Sequence, residues 1–292
     1  MSAVAADALL RRIVRSRVLW RLLHHRLFVT GAILLASMVL MSLIAPLLAA
    51  GPYEKMFPRS RLLPPGGRFW LGTDHVGRDL MARVAYGGRL SLSIGFAVML
   101  ISGTCGTIVG VAAGYFRRLD NPVMRLMDAL MAFPAILLAI AISATLGGST
   151  LNAVIALSAV YTPRTARIVR ANTLVVREMD YVKAALVAGA GGLRVMLRHI
   201  LPNSLAPLIV QTTFVFAYAV VAEAILSFLG IGAQPPTPSW GNIIAEGRNY
   251  IRDAPWITLF PGIAIAVTVL GLNLIGDGLR DALDPRLRVQ VG

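Results

Sequence analysis

The chain has 292 residues, 57% hydrophobic and 14% charged, with a formal net charge of +14 and one cysteine. With a mean hydropathy of +0.71, it is too apolar and too poor in charge for an ordinary soluble domain and reads as a multi-span membrane protein. A lone Cys105 excludes an intrachain disulfide and a cysteine metal site, and the basic residues are scattered between apolar runs, which suits anionic lipid or an acidic partner surface, not nucleic acid.

Six stretches, 28–50, 90–115, 127–146, 151–168, 205–222 and 257–275, approach the roughly 20 apolar residues a spanning helix needs. Lipid leaves no water for open backbone groups, so all six are read as helices of an all-α polytopic protein. The first follows six arginines in 1–27 (Arg11, Arg12, Arg15, Arg17, Arg21, Arg26). It is longer than a cleaved signal core of about 7–15 residues, so an uncleaved anchor is expected.

The segment 51–89 forms a loop in which 71–92 reads as an amphipathic helix. Thr73 or Asp74 is its expected cap, Val76, Leu80 and Val84 share a face, and Asp79 pairs with Arg83 at i, i+4. In the second span Gly106, Gly110 and Gly114 recur every four residues, a strip on which another helix packs closely. Pro134 is expected to kink the third span, and Pro163 and Arg164 fall near the end of the fourth.

Next comes "YVKAALVAGAGGLRVMLRHILPN", residues 181–203. Ala184, Ala185, Ala188, Gly189 and Ala190 leave a face without bulk. Gly189, Gly191 and Gly192 allow a turn, Arg194 and Arg198 lie at i, i+4, and Pro202 ends or re-aims the helix. Glu223 follows the fifth span. An ionisable group at that depth marks pairing or function; a partner in the "ILSFLGIG" turn is expected, with a substrate contact as the alternative. The loop 231–256 holds a stiff "QPPTPSW" and a short helix. In the tail, Asp277, Asp281 and Asp284 interleave with Arg280, Arg286 and Arg288, a salt-bridged end and not a metal site.

With the N-terminus inside, nineteen of the 28 Lys and Arg residues lie on inner segments and nine on outer ones, seven of the nine in 51–89. Both termini are therefore expected on the cytoplasmic side, with the 51–89 charges as an exception. Trp70, Trp240 and Trp256 then fall near the outer face and Trp20 near the inner one, as interface anchors. The chain divides into a cytoplasmic segment 1–27, a first span 28–50, an extracytoplasmic loop 51–89, a five-helix core 90–276 and a cytoplasmic tail 277–292. The core contains an inner loop over 170–203.

That inner loop resembles the EAA loop of ABC-importer permeases: Lys183-Ala184-Ala185, then Gly189, then Leu201-Pro202. The segments 71–92, 223–251 and 260–288 resemble, in order, permeases of the dipeptide, oligopeptide and nickel type. The resemblance implies a type I ABC importer fold in the bacterial inner membrane. It implies a coupling helix over 181–203, with Lys183, Ala184, Ala185, Gly189, Arg194, Arg198, Leu201 and Pro202 docked on an ATPase. It also implies a homologous permease partner, two ATP-binding subunits that use ATP and Mg, and an extracytoplasmic binding protein delivering peptides or a related solute. Lys183 departs from the family, which has an acidic residue there.

The chain has no G-x-x-x-x-G-K-[ST] phosphate loop, no H-E-x-x-H and no nucleophile–base signature. No catalytic residue, metal or bound cofactor is expected, and ATP hydrolysis is assigned to another chain. A stand-alone secondary transporter would show paired repeats and intramembrane charges; only Glu223 offers itself. An intramembrane enzyme would need a buried nucleophile–base pair or metal ligands, and Cys105 has no His in its run.

Overall fold

The computed structural model describes residues 20–283; the calls on Arg11, Arg12, Arg15, Arg17, Asp284, Arg286 and Arg288 lie outside them. In chain order the helices are α1 (Arg26–Leu48), α2 (Leu80–Tyr115), α3 (Arg117–Met131), α4 (Ala135–Leu146), α5 (Thr150–Arg177), α6 (Asp180–Val187), α7 (Gly192–Phe228), α8 (Trp240–Gly247) and α9 (Trp256–Leu283). No strand occurs among the described residues.

Four of these helices are long and apolar enough to cross a membrane, α1, α2, α7 and α9, or five if α3 and α4 form one bent span. The expected kink in the third span is a full break. α3 and α4 meet at 91°, and the break falls at Pro134, which caps α4 and has no N–H to continue α3. The expected fourth span is part of the 28-residue α5, which runs through the buried Pro163. Its arginines at 164, 167 and 170 keep it from counting as an apolar span.

Small residues set the packing. α1 crosses α9 where Gly31 faces the Gly271 carbonyl; a Cβ on Gly31 would lie 2.5 Å from that oxygen. α2 lies along α5 through Gly106, Gly110 and Gly114, whose added Cβ atoms would meet Thr165, Ala166 and Thr173 at 2.5–2.7 Å. α2 also packs on α7, where Gly95 lies under Phe216 and Val220. Contact at this distance is how helices associate when lipid is as apolar as the side chains.

The separate amphipathic helix over 71–92 is not what forms. Residues 71–79 are looped, and the helix begins at Leu80 as the start of α2. Its cap is Asp79, not Thr73 or Asp74: the carboxylate accepts from Met81 N at 2.9 Å and from Ala50 N at 2.7 Å. With Asp79 so occupied, Arg83 pairs elsewhere. Arg83 is 1% exposed and donates to Asp74 Oδ2 (2.8 Å) and to both Glu246 oxygens (2.6 and 2.9 Å). Arg78 joins Asp74 at 2.6 Å and also reaches Glu246. Asp74, His75 and Glu246 converge closely enough for a metal ion, but the two arginines already occupy the carboxylates. Arg89 donates to the carbonyls of Ser42 and Leu43 in α1. Arg78, Arg83 and Arg89 thus serve the fold, as does Arg61, which donates to His75 O at 2.6 Å. Trp240 is no interface anchor either: it is fully buried and its indole donates to Val84 O at 2.9 Å.

Burial pushes the Asp74 and Glu246 carboxyls up, but Arg83 and Arg78 outweigh it and hold both below the usual range. Their contribution to stability is therefore complete above the unfolded values of about 4 and is lost as pH falls through the lower folded values. Arg83→Met leaves both carboxylates to Arg78 alone and is expected to cost about 1–3 kcal/mol. Thermal melts of the solubilised chain at pH 7 check this, and melts between pH 6 and 3 check the acid loss in the unsubstituted chain.

Candidate functional site

Residues 178–204 form an elbow between α5 and α7. α5 stops where Arg177 places its guanidinium on the last carbonyls of α2, Gly114 O (3.3 Å) and Tyr115 O (3.1 Å), where a cation suits the helix dipole. α6 follows, with Asp180 in its first turn. Its Val182 is buried and packs with Val176, Val195 and Ile200 against Tyr115. It is the one buried side chain of α6.

α6 ends in a Schellman turn: Ala190 N donates to Ala185 O and Gly189 N to Leu186 O, both at 3.0 Å. Gly189 has φ +86°, a conformation that favours glycine, and nothing lies within 4 Å of where its Cβ would stand. Gly191 has no such φ, and Gly192 is needed for space, because a Cβ there would lie 3.0 Å from the Tyr115 hydroxyl.

Pro202 does not end the helix. α7 runs from Gly192 to Phe228 and absorbs the proline by a π turn at Met196–Ile200, with Leu201 N donating to Met196 O. The missing proline N–H favours such a wider turn. Asn203 Nδ2 donates to His199 O at 2.6 Å and to the Tyr181 hydroxyl at 3.1 Å, tying α6 to α7. Asn172 Nδ2 donates to Ser204 Oγ at 2.8 Å and ties α5 to the same point. Arg194 and Arg198 are both exposed on either side of the start of this turn.

The free surface of the elbow combines small and apolar groups. Ala184, Ala188 and Gly189 are exposed, Ala185 and Leu201 are half-buried, and Val187 (90%), Leu193 (67%) and Leu197 (58%) stand open. Large apolar side chains left this exposed suit contact with another protein or with lipid. Lys183 Nζ lies 3.5 Å from Glu178 Oε2, so its charge is met by an acid five residues upstream. Glu178 is held below the usual carboxylate range by Arg177 and Lys183. Tyr181, Asn203, Asn172 and Glu178 were not singled out from sequence. Their links cross helix breaks, where no fixed spacing signals them; only the aromatic at the head of the loop and the Asn-Ser after the proline hint at them.

Glu223 lies away from the elbow. It is fully buried, and Ser227 donates to its Oε1 at 2.6 Å while accepting from Ala233 N at 2.9 Å. It thus meets a residue of the following turn, and it does not line the cavity between α5, α7 and α9. Asp281 of the tail lies 3.5 Å from His25, and no arginine pairs with it among the described residues.

Residues 106–289 match the family described as binding-protein-dependent transport system inner membrane component, and residues 15–65 match the N-terminal TM domain of oligopeptide transport permease C. The chain belongs to the family of binding-protein-dependent transport system inner membrane components, a permease class and not an enzyme class. It is 57% identical over 270 residues to a Brucella abortus chain provisionally named a peptide transport system permease protein, covering 92% of this chain and 91% of that one. It is 45% identical to the dipeptide transport system permease protein of Alkalihalophilus pseudofirmus, covering 92% and 88%. It is also 45% identical to the di/tripeptide transport system permease protein of Pseudomonas aeruginosa, covering 91% and 90%. The fold is similar to that of a chain of the MetNI methionine ABC transporter in an inward-facing conformation, with TM-score 0.59 and 18% identity over 70% of this chain and 98% of that one.

Gly110→Val places side-chain carbon against the Ala166 carbonyl and is expected to cost about 1–3 kcal/mol by overpacking. Gly262→Val, in open space on α9, is the control. Melting temperatures of the two solubilised variants check the difference.

Proposed function

We propose that this chain forms half of the translocation path of an ATP-driven importer of peptides in a bacterial inner membrane. In this reading the path is completed by a homologous permease. Two ATP-binding subunits, using ATP and Mg, dock on the elbow, and an extracytoplasmic binding protein delivers the cargo. Six crossings follow if α5 and the bent α3–α4 pair each span, with both termini cytoplasmic.

The observation that carries the reading is the elbow itself, held to α2, α5 and α7 yet presenting Val187, Leu193 and Leu197 to solvent. A surface of small and apolar groups admits a partner closely, and a short helix with a rigid turn passes on a push without bending. ATP binding draws the two ATPases together; the elbow moves with its ATPase; α5 and α7 follow because Asn172, Asn203 and Tyr181 join all three. The path then changes the side to which it opens, and hydrolysis resets it. Peptide cargo is supported by the names of relatives at 45–57% identity.

Ala185→Trp and Gly189→Trp are expected to cut peptide import at least ~tenfold, the effect of about 1.4 kcal/mol at the docking surface. ATP hydrolysis should no longer respond to the binding protein. Import at the unsubstituted rate, with normal amounts of assembled chain, removes the coupling role from the elbow.

A further inference from the structure

Three arginines succeed one another along α5. Arg167 lies 2.5 Å from Asp128, and Arg170 makes a two-point pair with Asp120. Arg164 has no carboxylate within 4.0 Å among the described residues. Its guanidinium stands over the ring of Tyr218, 5.7 Å from the centroid. It is exposed, although it lies midway along a helix of the bundle.

Arg164 faces a cavity of about 600 Å³ between α5, α7 and α9. That volume is within the range of small-molecule sites, about 300–1,000 Å³. Asn172, Asn203 and Gln211 line it with amides, Phe214 gives it an apolar wall, and Arg280 stands at the α9 end; among the described residues no Asp or Glu lines it. A cleft walled by one sign of charge concentrates the opposite sign. A cation inside a spanning bundle with no acid of its own belongs to a water-filled cavity or a pathway. A purely structural arginine would resemble Arg167 and Arg170, each matched by an aspartate.

We propose that this cavity is a stretch of the cargo path and that Arg164 receives an anionic group of the solute in transit, the terminal carboxylate if the solute is a peptide. This deepens the importer reading and rests on it for the word cargo. The anion site itself rests on the cavity.

The test has two arms, both on the full chain in its assembled complex in vesicles. The first measures the charge of the cavity without any cargo. Ile168→Cys, one turn from Arg164 on the cavity wall, is placed in a Cys105→Ala background. It is then modified by a negatively and a positively charged methanethiosulfonate, with rates normalised to a free thiol. The anionic reagent is expected to be favoured by at least ~tenfold, as steering in a like-charged cleft allows. The preference should vanish with Arg164→Gln and survive Arg164→Lys. Equal rates, or a preference that Arg164→Gln leaves unmoved, overturn the proposal. A preference that anionic vesicle lipid abolishes and neutral lipid restores assigns the site to a lipid headgroup and overturns it too.

The second arm follows uptake of a labelled dipeptide with a free carboxylate. Arg164→Gln is expected to lower it at least ~tenfold and Arg164→Lys to stay within ~threefold, a charge effect of about 1.4 kcal/mol or more. Unchanged uptake in Arg164→Gln overturns the cargo role while leaving the importer reading intact. If the unsubstituted complex takes up no dipeptide, the peptide reading fails instead, and the reagent preference still decides the anion site.

Discussion

The approach of α2 to α5 fixes the rest of the architecture around the elbow in our account. Gly106, Gly110 and Gly114 bring the two backbones so close that a single methyl would collide with Thr165, the Ala166 carbonyl or Thr173. In a bilayer there is no hydrophobic gain from bringing two apolar helices together, so dispersion at short range has to supply it. Because α5 is seated in this way, its end falls beside the end of α2. Arg177 can then reach the carbonyls of Gly114 and Tyr115, and Tyr115 can close on Gly192. The elbow is a consequence of that seating, and a force applied to it reaches both long helices together.

The other end of α2 is held by charge. Arg83, Arg78, Asp74 and Glu246 link the 71–79 loop, the start of α2 and α8, while Trp240 fills the space between them. A buried pair gives little net stability against apolar packing, but removing one partner is costly. Such a network holds three segments in one arrangement more than it strengthens them. With α2 fixed at both ends, rocking of the bundle as a body is the economical way to turn movement of the elbow into a change of access.

Much of this was legible in the chain. The glycine repeat gave the packing strip, and the apolar runs gave α1, α2, α7 and α9 to within a few residues, except where α2 and α7 begin early. Gly189 stood out as the residue of the turn. What was not legible depended on partners distant in sequence. Arg83 was assigned to Asp79 because they are four apart, yet Asp79 is spent on the helix cap and Arg83 finds Glu246 across 163 residues. Pro202 is expected to end or re-aim the helix; the helix runs on, and the π turn and the amide of Asn203 accommodate the proline. At Lys183, where the resembled family has an acid, Glu178 stands 3.5 Å away within the same elbow.

The most direct measurement is to purify the tagged chain from native membranes in a gentle detergent and identify by mass spectrometry what stays with it. The account expects a homologous permease and two ATP-binding subunits in stoichiometric amounts. Recovery of the chain alone, in a detergent shown to preserve a known importer complex, would contradict it, because the elbow would then have nothing to receive its apolar face.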